Sequence, residues 1–134
     1  MGERDAVLFA NELFYRAFAD ADLAAMEDIW ATGPDTISVV HPGTSPILGR
    51  DEVLETWQVI FEGASHVDIG IADTDARVYG DFAIVLFSEI VHGHGLSATN
   101  VFCRTPQGWR LVHHQAGPSA AARRQQEFDR PLMH

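Results

Sequence analysis

With 134 residues, 46% of them hydrophobic and 21% charged, the chain is sized for one domain with its own core. A formal net charge of −10 argues against a nucleic-acid partner, and the complete lack of lysine excludes Schiff-base chemistry, lysine-bound pyridoxal phosphate included. No apolar run approaches the roughly 18 residues of a membrane span, and the first residues lack the basic-then-apolar order of a signal peptide, so a cytoplasmic address is expected.

The spacing of Ala6, Phe9, Ala10, Leu13, Phe14, Ala17 and Phe18 predicts a helix over residues 3–19. Asp20 or Asp22 can cap a second, shorter helix, DLAAMEDIWA, with Leu23, Met26 and Trp30 on one face. Gly33-Pro34 breaks that pattern, and TISVVH follows as a strand in which Ile37, Val39 and His41 share a face. PGTSPILGR reads as a loop into a third helix, about Asp51 to Glu62, with Val53, Leu54, Trp57, Ile60 and Phe61 as its apolar set and Gly63 at its C-terminal end.

From residue 65 the periodicity changes to that of strands. HVDIGIA alternates through Val67, Ile69 and Ile71, and RVYGDFAIVLFSEIV reads as two strands about a tight Gly80-Asp81 turn. SATNVFCR and WRLVHHQA form a further hairpin across TPQG. Helices first and an antiparallel meander after them make an α+β order. One domain is expected over residues 1–118, with 119–134 as a C-terminal tail. FAIVLFSEIV is apolar on both faces, which points to a second copy of the chain covering the outer one, hence a homodimer.

Turn positions suggest a register. A Pro106-Gln107 loop sets Phe102 opposite Leu111 and Asn100 opposite His113; a His94-Gly95 loop sets Phe87 beside Phe102 and Glu89 beside Asn100. An apolar row, Phe87-Phe102-Leu111, then gives way to a polar row, Glu89-Asn100-His113, with Gln115 one step further and His114 turned to the other face. The inner face thus changes from core to the polar lining of a pocket.

Several side chains suit chemistry there. His41, with a reference pKa near ~6.5, is a usable base around neutral pH. Asn100 and His113 can orient or donate to a ligand oxygen. An inward Glu89 would be a desolvated carboxylate with a raised pKa. Trp30, Trp57, Phe14 and Phe102 would form core and pocket wall together. HGHG places His92 and His94 in a hairpin loop, without the spacing of a rigid metal site, and neither a metal nor a cofactor is expected. Cys103, the one cysteine, reads as a strand residue.

The order and spacing of DADLAAM, ISVVHPG…LGRDEVLETW, YGDFAIV, ATNVF and GWRLVHHQAG resemble the nuclear transport factor two-like, or SnoaL-like, superfamily over roughly residues 5–118. That superfamily includes ketosteroid isomerases, polyketide cyclases and the association domain of calcium/calmodulin-dependent kinase two. The resemblance implies three N-terminal helices packed into a strongly curved antiparallel sheet, a cystatin-like cone with an internal cavity, and a dimer through the convex face. Ketosteroid isomerase, a worked case of tuned carboxyl groups, uses a carboxylate base, a tyrosine donor and a protonated aspartic acid. By similarity the base position falls on His41, the aspartic acid position on Asn100 and the tyrosine position on Phe14, with Tyr15 one residue out of phase. The final strand reads HHQAG where such relatives often carry HHHAS, so Gln115 replaces a histidine. Two functions stay open: a module that binds a small organic ligand in the cone, or a cofactor-free acid–base enzyme with His41 as base and Asn100 and His113 as donors.

Overall fold

Helix α1, Glu3–Ala19, opens the chain in the computed structural model, which describes residues 2–33 and 36–119. It is followed by α2 (Leu23–Ile29), β1 (Ser38–Val40), β2 (Ile47–Leu48), α3 (Arg50–Phe61), β3 (Ile69–Tyr79), β4 (Phe82–Val91), β5 (His94–Thr105) and β6 (Gly108–Pro118). The buried line of α1 is Val7, Asn11, Phe14, Tyr15, Ala17 and Phe18, while Phe9 faces outward. Its apolar stripe is therefore rotated from the expected one, and Asn11 sits within it. Asp22 caps α2 by accepting from the Ala25 N–H at 3.1 Å.

Arg50, the first residue of α3, donates to the backbone carbonyls of Glu27, Trp30 and Ala31 at 2.9–3.3 Å. A guanidinium thus satisfies carbonyls left free where α2 ends, which is the structural work of the Gly49-Arg50 pair. Val53, Trp57 and Phe61 are the residues α3 buries.

The six strands form one sheet in the order β2-β1-β6-β5-β4-β3, unclosed, wrapped around the helices as a cone. Five features differ from the expected strands. The loop before α3 contains β2, paired antiparallel to β1. β1 runs parallel to β6, so the sheet is mixed. IGIA, the second part of HVDIGIA, and RVY belong to one strand, β3, broken by a bulge at Asp73 (φ +56°) rather than ended there.

The β4–β5 turn is His92-Gly93, not His94-Gly95; both residues have positive φ, the type I′ geometry that suits a two-residue hairpin. Asn100 therefore pairs with Val85, Glu89 with Leu96, and Phe87 with Ala98. The difference is an even number of residues, which keeps Glu89 on the inner face.

The fifth difference reverses a face. β5 and β6 pair as expected from Thr105↔Gly108 to Phe102↔Leu111, but Val112 is an extra residue, and beyond it Val101 meets His113 and Asn100 meets His114. The bulge falls where β6 changes partner on its other edge. Leu111 bridges Trp30 and accepts from the Ala31 N–H at 2.9 Å, whereas His113, His114 and Gln115 pair with β1.

The interior behind these strands is filled. Phe14, Trp30, Trp57, Phe102 and Asn100 are all 0% exposed, so side chains occupy the depth of the cone where a cavity was expected. Beyond residue 119 the expected tail lies outside the described residues.

Candidate functional site

His41 follows β1 and begins a turn. Thr44 N–H donates to the His41 carbonyl at 3.0 Å, with Pro42 and Gly43 (φ +81°) at the two central positions, a pattern that needs glycine at the second. Thr44 Oγ1 also accepts from the His41 N–H and donates to its carbonyl, both at 3.1 Å. The imidazole lies edge-on to Trp57, centroids 4.9 Å apart, and its Nε2 is 2.9 Å from Thr56 Oγ1. Thr56 spends its one proton on the Val53 carbonyl at 2.6 Å. Nε2 must therefore be the N–H donor and Nδ1 the bare lone pair. Burial lowers the His41 pKa, which leaves the ring neutral near pH 7.

A second imidazole stands behind the first. His114 is 1% exposed, 6.3 Å from His41 between ring centroids, and packs on Phe14 and Trp57. Its Nδ1 is 2.6 Å from Asn100 Oδ1, and Asn100 Nδ2 donates to Asn11 Oδ1 at 2.7 Å. With the amides assigned by that chain, His114 carries its proton on Nδ1 and presents a bare Nε2. Burial first, then the neighbouring His41 and His113, push its pKa down to about 3.

Glu89, 2% exposed, completes the cluster. Its Oε2 accepts from the Tyr15 hydroxyl at 2.6 Å and lies 4.0 Å from His114 Nε2. Because His114 is neutral, that approach is not an ion pair. Burial raises the carboxyl pKa, opposed by the Tyr15 hydrogen bond; burial and then Glu89 raise the phenol well above its usual value. Three groups able to hold or take a proton thus adjoin: Glu89, His114 and His41.

Exposure separates depth from mouth. Against the 0% side chains above, Tyr15, Phe87, Phe61 and Phe18 show 6–9%, and His41 is half-buried. These four rings and His41 are the more exposed side chains around the cluster and form its rim.

The expected site residues divide accordingly. His41, Phe14, Tyr15, Trp57, Glu89 and Asn100 are brought together. Trp30 and Phe102 are core, with Trp30 edge-on to Phe14. His113 and Gln115 are on the outer face, where His113 Nδ1 meets Ser38 Oγ at 2.7 Å and Gln115 is exposed. The bulge at Val112 is the reason: it exchanges the faces of His113 and His114. Tyr15, not Phe14, supplies the buried phenol.

His114, Asn11 and Thr56 are the residues sequence reasoning missed. Asn11 carried a usable signal, since residues 7, 11, 14 and 18 keep the spacing of one helix face. Among the described residues no group of three or more His, Cys, Asp or Glu side chains is arranged to hold a metal ion.

The SnoaL-like domain family model matches residues 7–121. The chain belongs to the SnoaL-like family. The SnoaL-like domain is 30% identical to a candidate dehydratase of the NTF2-like family from Streptomyces avermitilis, with a TM-score of 0.81 over 87% of this chain and 95% of that one. It is also 30% identical to a candidate calcium/calmodulin-dependent protein kinase type II association domain from Thiobacillus denitrificans, with a TM-score of 0.74 over 82% and 92% of the two chains. F-box protein SKIP8 of Arabidopsis thaliana is 27% identical over 113 residues, 83% of this chain and 48% of that protein. The SnoaL-like domain thus spans about half the length of that relative. No helix among its described residues is long and apolar enough to cross a membrane.

Proposed function

We propose that this SnoaL-like domain binds a small organic molecule at the mouth of its cone and works as a homodimer. One observation carries the binding reading: two neutral imidazoles and a buried carboxyl group adjoin behind an aromatic rim, with His41 half-exposed at the entrance. Buried ionisable groups without a charged partner are costly, and they concentrate where proteins bind or transform ligands. Self-association is supported by the outer sheet face, where Tyr79 (58% exposed) and Phe82 (54%) pair across the β3–β4 hairpin beside exposed Leu86 and Ile90.

A specific feature favours proton transfer as the second reading. His41 is neutral, is held by Thr56 through Nε2 and leaves Nδ1 as a free base, the state a general base needs. Asn100 is given no oxyanion role in this reading: it is wholly buried, with Oδ1 against His114 and Nδ2 on Asn11.

A thermal-shift screen of small organic compounds tests both readings. Hits on the wild type should be lost or weakened in Glu89→Gln. In His41→Gln a binder should keep most of its affinity, whereas an acid–base enzyme should lose ~10²–10⁴ in rate with binding intact. Hits that bind both variants like the wild type would remove the mouth as the site.

A further inference from the structure

We propose that a groove outside the cone, between α1, α2 and the start of β6, binds a free α-amino acid with an apolar side chain, its carboxylate on Arg110 and its ammonium on Asp28. The groove shares no residue with the cluster at the mouth, so the inference goes beyond the ligand reading given for the mouth and does not rest on it.

The open space measures about 310 Å³, at the small end of the roughly 300–1,000 Å³ usual for ligand pockets. Its apolar walls are Ala10, Leu13, Ala25, Ile29 and Trp109. Leu13 fits the apolar stripe predicted for α1, yet it is half-buried along this groove and is not one of the residues that α1 buries.

Five charged residues complete the lining: Arg16, Asp20, Asp22, Asp28 and Arg110. Asp22 is already engaged as the cap of α2. Elsewhere among the described residues Arg4 and Arg77 pair with Asp75, Arg104 pairs with Glu3 and Asp81, and Arg50 holds backbone carbonyls. Arg16 and Arg110 have no carboxylate partner there, and both line this one groove. The polar contact of the Arg110 guanidinium among the described residues is Nη1 on the Trp109 carbonyl at 3.1 Å, which leaves most of its fork unmatched.

Asp28 and Arg110 also line a second cavity, of about 650 Å³, and they are the residues that the two spaces share. They stand on the divide between the cavities with opposite charges, yet no ion pair joins them among the described residues. Charge then decides the class of ligand. A simple anion reaching Arg110 also meets Asp28, Asp20 and a net charge of −10; a simple cation reaching Asp28 also meets Arg110 and Arg16. An α-amino acid carries both charges close together. Its carboxylate suits the guanidinium fork, its ammonium suits Asp28, and its side chain is left for Leu13, Ile29 and Trp109. Arg16 and Asp20 are exposed, where water screens a pair of charges, so the head group is assigned to the half-buried Arg110.

Four probes that remove one part at a time test this on the full chain by calorimetric titration. They are L-leucine, 4-methylpentanoate without the ammonium, 3-methylbutylammonium without the carboxylate, and glycine without the side chain. Leucine should saturate the protein, and each of the others should bind at least tenfold more weakly. Arg110→Gln and Asp28→Asn should each weaken leucine at least tenfold, the second without weakening 4-methylpentanoate. Should a variant misfold, 15N spectra of the wild type decide: the Trp109 indole resonance should move as leucine saturates, while that of Trp57, inside the cone, stays. Binding of 4-methylpentanoate or 3-methylbutylammonium as tight as that of leucine would overturn the amino-acid assignment. No saturation by leucine, or saturation that moves Trp57 and not Trp109, would overturn the groove as the site. The reading of the mouth stands or falls separately, by its own variants.

Discussion

Strand β4 has two faces that are nearly equal in apolar content and opposite in circumstance. Inward it presents Ala83, Val85, Phe87 and Glu89, all buried; outward it presents Phe82, Ile84, Leu86, Ser88 and Ile90, several of them exposed. The single carboxylate of the strand is on the buried side, and the exposed side carries no charge. Ordinary solvation would place these groups the other way round. The inner anomaly is answered within the chain by Tyr15 and by the neutral imidazoles around Glu89. The outer one has no answer among the described residues, and a second copy is proposed for it.

The contrast can be broken from either side. The largest effect is expected from the inner face, where Trp57→Ala removes an aromatic side chain in contact with Phe14, Phe18, His41 and His114. It should cost about 3–5 kcal/mol in urea unfolding. A loss below about 1 kcal/mol would mean that the interior is not close-packed at its centre.

Acid should act next. His114 has its pKa pushed down to about 3 in the fold from an ordinary value of 6.5. The unfolded chain therefore binds a proton that the native state refuses between those values, and stability present above pH 6.5 is lost as pH falls. The slope approaches about 1.4 kcal/mol per pH unit only below 6.5, where the unfolded histidine is fully charged, so the fall from pH 6.5 to 4.5 withdraws about 2 kcal/mol. Glu89 works in the opposite sense, because its raised pKa lets the native state take a proton before the unfolded chain does. His114→Gln should thus flatten the pH dependence between 4.5 and 7. Urea midpoints at the two pH values measure it, and an unchanged slope would exclude His114 as the origin.

The smallest effect belongs to the outer face. Leu86→Ala should weaken self-association at least tenfold, about 1.4 kcal/mol, with the fold intact by circular dichroism. Light scattering over a dilution series reads this. A wild type that is monomeric at micromolar concentration would leave the outer face without the proposed partner.

How far the molecule was legible in the sequence depended on how local the determining interaction is. α1 and α3 were readable to within a residue of their ends, because helix periodicity is written in consecutive residues. The Gly80-Asp81 and Pro106-Gln107 turns were readable for the same reason. The fold class and the inward face of Glu89 followed, and the family resemblance held. What could not be read was set across the sheet. The Val112 bulge depends on β6 exchanging Trp30–Ala31 for β1 as its neighbour, and no local pattern in GWRLVHHQ announces that exchange. Asn100 was placed on the inner face, but its partner Asn11 is 89 residues away in the chain and no local pattern joins them.

The bulge also bears on how related chains should be compared. Histidines 113 and 114 are neighbours in the sequence, yet one belongs to the outer surface and the other to the interior. A single peptide unit at residue 112 sets which is which, because strand parity inverts with every residue gained or lost. Two chains aligned without a gap through this segment, one bulged and one regular, would match a lining residue of one with a surface residue of the other. Identity of letters here is thus no guide to identity of position; an alignment through the last strand has to count the bulge before it assigns a histidine to either side.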